Sequence, residues 1–297
     1  MKVKFGVKYW VAGALSAMAL GMSAQAMALP IMLEGAGGGG VNPWALIANG
    51  GKNAVTPAVF GTYGSTNSGF NLYSAGVNFS ILNKAEIYYD HQDFGLPGSL
   101  SADLGTNSIE QNIVGAKYQV YGGSGLIPAL AVGFNYHMTN KYIPSILGVH
   151  HNGADFYVAA TGIYPVAGSN LLLDADLYVT KSNYMGLLGQ GGPGKDSYHV
   201  EGGASVGYFL AKDVVLGAEV RTFPTNNLTP DNGALGAGSD FRQSNWYDGF
   251  IAYMPSPHLS VVAAFLDLGN LVNAPNAPHP SYNANQNGFY LNVNGSF

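Results

Sequence analysis

Leu171-Leu172-Leu173-Asp174-Ala175-Asp176-Leu177-Tyr178-Val179-Thr180 decides the fold. Leu171, Leu173, Ala175, Leu177 and Val179 form one apolar set, and Asp174, Asp176, Tyr178 and Thr180 interleave with it. A period of two is the period of a β-strand, so one face is apolar and the other carries two carboxylates. Neighbouring stretches repeat the pattern. Tyr198, Val200, Ala204, Val206 and Tyr208 alternate with His199, Glu201 and Ser205, and Leu130, Val132, Phe134 and Tyr136 lie on one side of their own segment. Ten such residues suffice to cross a bilayer at barrel tilt.

Composition points the same way. Only 10% of the 297 residues are charged, whereas a soluble domain carries about a quarter. Gly 42, Tyr 19 and Phe 14 suit β structure. After residue 29 there is no run of 18 apolar residues, which excludes a bundle of membrane helices. With Cys 0, neither disulfides nor thiolate metal sites are available.

Twelve segments carry the pattern, near 57–64, 70–79, 84–93, 110–121, 127–138, 154–164, 170–181, 197–209, 213–223, 245–253, 258–268 and 287–297. Short connections (Asn83-Lys84, 122–125, 166–169, Ala211-Lys212, 254–257) alternate with long Gly- and Asn-rich ones (95–108, 139–153, 182–196, 224–244, 269–286). Bacterial barrels sort short periplasmic turns from long surface loops in this way. The predicted fold is therefore an all-β, transmembrane antiparallel barrel of about 12 strands over residues 57–297. Its predicted place is the outer membrane of a Gram-negative bacterium, with membrane lipid and lipopolysaccharide around it.

Lys2, Lys4 and Lys8 precede the apolar stretch 9–22, and Ala24-Gln25-Ala26 offers a small-x-small cleavage site, so residues 1–26 read as a signal peptide. Its removal takes Lys+Arg from 12 to 9 against Asp+Glu 17, a formal charge of −8. An acidic chain without clustered Lys and Arg excludes nucleic acid as a partner. At the other end, Phe289, Leu291, Val293 and Phe297 alternate as in the C-terminal signal that outer-membrane assembly machinery recognises.

Between leader and first strand, residues 27–56 hold a Gly-rich run and Pro43-Trp44-Ala45-Leu46-Ile47, too apolar for a plain linker and too short for a domain. Pro43, Trp44 and Ile47 are the candidate contacts of a lumen plug; a periplasmic tail or an extra piece of strand is the alternative. Gly35 to Gly40 and Gly189 to Gly194 match G-x-G-x-x-G, but Pro43 soon follows the first and Lys195-Asp196 the second, so neither opens a phosphate-binding helix. Gly189 to Gly194 reads as a flexible loop.

By strand parity the lumen receives Glu86, Asp90, Lys117, Gln119, His137, Asp174, Asp176, His199, Glu201, Glu219, Arg221 and Asp248, a polar and net acidic set. The predicted function is a narrow channel for passive or gated passage of small solutes, with an acidic path favouring cationic or neutral ones. A closed structural or surface-interaction barrel is the alternative, because twelve strands lie between filled and open barrels. A third reading, a lipid-modifying enzyme, needs His91 with Ser108, Glu110 and Asn112 on the lipid face; the leading reading is not an enzyme. No cofactor or metal site is read: His150-His151 with Asp155 lacks the spacing that aims two imidazoles at one ion.

Pro43-Trp44-Ala45-Leu46-Ile47, Thr180-Lys181 with Asn183, Gly186-Leu187-Leu188-Gly189, Gly217-Ala218-Glu219 with Arg221, Ala252-Tyr253 with Pro255, Asp267-Leu268-Gly269 and Tyr290-Leu291 together resemble an uncharacterised proteobacterial outer-membrane family, domain of unknown function 3034. The resemblance covers nearly the whole chain after the leader. It implies no activity and no ligand residues.

Overall fold

The computed structural model describes residues 28–49, 53–223, 226, 228–231, 233–277 and 282–297. The expected signal peptide, residues 1–26, lies outside the described residues.

Twelve strands close into one antiparallel barrel: β1 (Val55–Thr66), β2 (Asn71–Ile81), β3 (Ala85–Gly95), β4 (Ser108–Tyr121), β5 (Ala129–Thr139), β6 (Asn152–Val166), β7 (Ser169–Thr180), β8 (His199–Ala211), β9 (Val214–Arg221), β11 (Trp246–Ser256), β12 (Leu259–Asn270) and β14 (Asn285–Ser296). Each pairs with its neighbour, and β1 closes on β14 with Ala58 opposite Ser296 and Thr66 opposite Gly288. No edge is left unpaired, which is what a sheet in lipid requires. Most predicted boundaries shift by two residues or fewer.

The wall follows from the alternation. Leu173, Leu177 and Val179 are exposed on the outside, whereas Leu172, Asp174, Asp176 and Tyr178 are buried inside. Aromatic side chains gather at both rims: Tyr63, Tyr73, Tyr136, Tyr247 and Phe289 toward the long loops, Phe79, Tyr118, Tyr253 and Phe297 toward the chain ends. That is the distribution of interfacial girdles about an apolar belt. At the rim of the chain ends the connections are tight. Leu82 and Asn83 both take φ 52, and Ala167 and Gly168 take φ 51 and 81, the left-handed pair of a two-residue hairpin turn.

The opposite rim departs from expectation. Its long connections are not free loops. They carry two short helices, Gly98–Leu104 and Tyr142–Leu147, and the paired strands β10 (Asp240–Phe241) and β13 (Val272–Asn273). Leu100, Leu104, Ile143, Leu147, Leu235 and Tyr282 meet there in an apolar cluster that roofs the barrel. Gly189 to Gly192 are buried, correcting the flexible-loop reading. The cause lies just upstream: Tyr184, Met185, Leu187 and Leu188 are apolar and fold inward out of water.

Candidate functional site within the barrel

Residues 28–49 run inside the barrel, and all but Leu29 and Leu46 are buried. They form no helix or regular strand; isolated bridges join Ile31 to Gly37 and Gly38 to Pro43. Backbone without secondary structure must find other partners, and here wall side chains supply them. Glu86 accepts from Gly37 N–H at 2.9 Å and from Ala48 N–H at 2.5 Å. Glu219 accepts from Gly40 N–H at 2.6 Å and Val41 N–H at 2.8 Å, and from Ser205 Oγ at 2.6 Å. The Gly-rich run therefore does cradle an anion, as a nest of backbone amides can, but the anion is a wall carboxylate. Any side chain at Gly39 or Gly40 would collide: a Cβ would lie 1.9 Å from Glu219 Oε1 and 1.7 Å from the Tyr290 hydroxyl, respectively.

Carbonyls are matched as well. Lys117 Nζ donates to Gly37, Trp44 and Leu46 carbonyls at 2.7, 3.0 and 2.7 Å while pairing with Glu86 at 3.2 Å. Gln119 donates to Ala45 O, Asn78 to Gly35 O and Gln92 to Leu33 O. Ser80 donates to Ala48 O, and Asn294 holds the start and end of the segment through Leu29 O and Asn49 Oδ1. Apolar packing adds to these bonds: Met32, Leu33, Ala36 and Val41 belong to the same apolar cluster as the roof. Trp44 sits among Leu172, Phe209, Val215 and Phe250, donating its indole N–H to Ser205, while Ala48 meets Ala58 and Phe60. Pro43 and Ile47 are buried, the latter at 7% exposure.

Toward the roofed end the charges join. Arg221 Nη1 donates to Glu34 Oε2 at 2.8 Å and stacks over the Tyr178 ring at 4.0 Å; its Nη2 lies 3.9 Å from Glu201, which pairs with His199 at 3.2 Å. His137 Nε2 lies 3.0 Å from Asp155 Oδ2 and 3.5 Å from Glu34 Oε1. Asp155 also accepts from Thr180 and Ser182 hydroxyls. Asp90 accepts from Ser74 and Gln92. Asp174 accepts from Thr161, whose oxygen in turn accepts Ala45 N–H. Asp248 takes one bond from Tyr290, and Asp176 has no hydrogen-bond partner for either oxygen. Above this layer, burial pushes the Tyr184 phenol above its usual range, keeping it neutral in its stack with Trp246.

Glu34 escapes strand parity reasoning; Asp155 does not, since it shares the inward face of β6 with Tyr157, Ala159 and Thr161, although the sequence sets it near His150-His151. Glu34 belongs to the segment, and its signal was a carboxylate isolated in an apolar, Gly-rich stretch. Asp155 points inward to His137, away from His150, which sits on the surface 3.7 Å from Asp196. The lipid-face constellation does not assemble into a nucleophilic dyad. His91 Nδ1 lies 3.0 Å from Asn112 Oδ1, but Ser108 pairs with Gly95, four positions from His91 and so about 13 Å along the strand.

The family model for a protein of unknown function, DUF3034, matches residues 30–294. Among curated proteins no relative matches. Solved structures with similar chains include the NanC porin (11% identity, 81% of this chain and 100% of that one, TM-score 0.49) and the KdgM porin (9%, 81% and 99%, TM-score 0.47). An outer-membrane channel from Pseudomonas putida F1 matches at 12% identity over 92% of this chain and 98% of that one, TM-score 0.46. From the match over residues 30–294, the chain belongs to the DUF3034 family.

Proposed function

We propose that the protein is an outer-membrane channel for small solutes, closed at rest by its own residues 28–49. The observation that carries this reading is how the segment is held. Its backbone amides and carbonyls rest on polar side chains of the wall, Glu86, Lys117 and Glu219 foremost. Water and a polar solute can replace such partners one by one, so a polar seat suits an obstruction that leaves. Once vacated, the path would be lined by Asp174, Asp176, Glu201, Glu219 and Asp248 against Lys117 and Arg221, which favours cationic or neutral solutes. Pro43, Trp44 and Ile47 act in this reading as the packed side of the plug. Phe289, Leu291, Val293 and Phe297, which face outward, are proposed as the strand read by the assembly machinery.

A second reading, a closed barrel that works through its outer surface, is favoured by one feature: the apolar roof formed by the long connections. Conductance of the refolded chain in planar bilayers, with and without residues 27–50, separates the two. A silent full chain that conducts after truncation, with cation preference, supports the channel. Silence in both, with folding verified by heat-modifiable migration, overturns it in favour of the closed barrel.

A further inference from the structure

We propose that Glu34, His137 and Asp155 form a binding site for one divalent transition-metal cation, of the Zn2+ class, deep in the barrel. Each offers one ligand atom, and these atoms lie within 4.8 Å of one another. All three side chains are fully buried. The Nε2 of His137 makes no hydrogen bond although two carboxylates stand 3.0 and 3.5 Å away, and Glu34 Oε1 likewise has none. Other buried polar atoms among the described residues also lack a hydrogen bond, but here an imidazole nitrogen and two carboxylate oxygens converge on one point.

The two separations from His137 fit an ion, and the third, between the carboxylates, is within 4.8 Å. Ligands about 2.0–2.1 Å from a tetrahedral centre lie about 3.3 Å from each other, between the two separations seen at His137. The donor set of one imidazole nitrogen and two carboxylate oxygens selects zinc-like cations over Mg2+ and Ca2+, which take oxygen. Supporting bonds already hold the carboxylates: Ser182 Oγ donates to Asp155 Oδ2 at 2.7 Å, Thr180 to Oδ1, and Arg221 to the far oxygen of Glu34. Such outer contacts orient metal ligands. Charge agrees too. Glu34 and Glu201 lie against Arg221, and Asp155 against a ring nitrogen of His137, so three carboxylates share one guanidinium and a divalent cation makes up the difference. A fourth position is left for water. One ligand comes from the lumenal segment and two from β5 and β6, so the cation would tie the segment to the wall.

The test uses untagged full chain, refolded in detergent, stripped with chelator, loaded with Zn2+ alone and desalted, with metal per chain read by mass spectrometry. About one Zn2+ per chain is expected, resistant to excess Mg2+, with an X-ray absorption edge showing one imidazole among oxygen ligands. His137→Gln and Glu34→Gln should each lose the ion, whereas His150→Gln, on the surface, should keep it. Absence of bound zinc in the unaltered chain overturns the site, as does loss with His150→Gln in place of His137→Gln, or displacement by Mg2+. Should His137→Gln fail to fold, Glu34→Gln combined with Arg221→Met, which leaves no unpaired guanidinium, serves in its place. Metal content is read without conductance, so this result and that of the channel reading stand apart.

Discussion

Two obstructions occupy this barrel, and they are held differently, although Met32, Leu33, Ala36 and Val41 of the first pack into the apolar cluster of the second. Toward the chain ends, residues 28–49 sit on carboxylates, a lysine and side-chain amides. At the other rim, the connections bury Leu100, Ile143, Leu187 and Tyr282 with Tyr184, Phe223 and Trp246 stacked together. A hydrogen bond exchanged for one to water contributes only about 0.5–1.5 kcal/mol net, whereas exposing a buried Leu or Phe costs about 1.5–3 kcal/mol with nothing regained. The part of the segment seated on polar side chains is therefore the part suited to move, while Met32, Leu33, Ala36 and Val41 are held with the apolar roof.

The sharpest way to break that contrast is to remove each obstruction separately. Deleting residues 27–50 is expected to turn a silent protein into a steadily conducting one in planar bilayers, while Leu187→Asp with Leu188→Asp leaves the full chain silent. The reverse pattern would make the roof the seal. Next in size, Arg221→Met strands the Glu34 carboxylate in the interior, and breaking a buried pair from one side costs about 3–5 kcal/mol. Denaturant unfolding should register that loss, and the same variant should show brief openings. Adding Glu34→Gln should restore part of the stability, since the uncompensated charge goes with it.

Trp246→Ala, at the start of β11, probes the aromatic stack that the roof rests on. It is expected to cost about 3 kcal/mol locally, the lower end for a buried large aromatic. Hydrogen exchange should quicken over 182–192 and remain slow over 33–48; equal quickening in both would show the two obstructions to be one unit. The smallest effect is expected on the outside. His91→Ala, on the lipid face opposite Asn112, should change stability by no more than about 0.5 kcal/mol and leave conductance as it was.

The wall was readable because a strand has a period of two: once Leu173 and Leu177 are assigned to lipid, Asp174 and Asp176 have only the interior left. Residues 28–49 obey no period, so nothing in the spacing of Gly37, Gly40 and Val41 announces Glu86 and Glu219 as their acceptors. Those contacts span sequence separations of 49 to 179 residues and arise only when the barrel closes. The roof escaped for a different reason. Tyr184-Met185-Gly186-Leu187-Leu188 is an apolar run inside a Gly-rich connection, and loop length was weighed above its hydropathy. The pairing of His137 with Asp155 follows from register: β5 and β6 are adjacent, Asp155 lies opposite Asn135, and His137 reaches it diagonally, which parity does not supply.

Asn294 holds Leu29 and Asn49 with a single amide side chain. The segment thus begins and finishes beside the same residue of β14, a bight of chain whose two feet stand at one opening. Nothing has to be threaded through a closed ring for it to go in or out, and no free terminus has to travel the length of the barrel. The seam of β1 against β14 can therefore close before or after the bight is tucked in, and drawing the bight out would not require it to open.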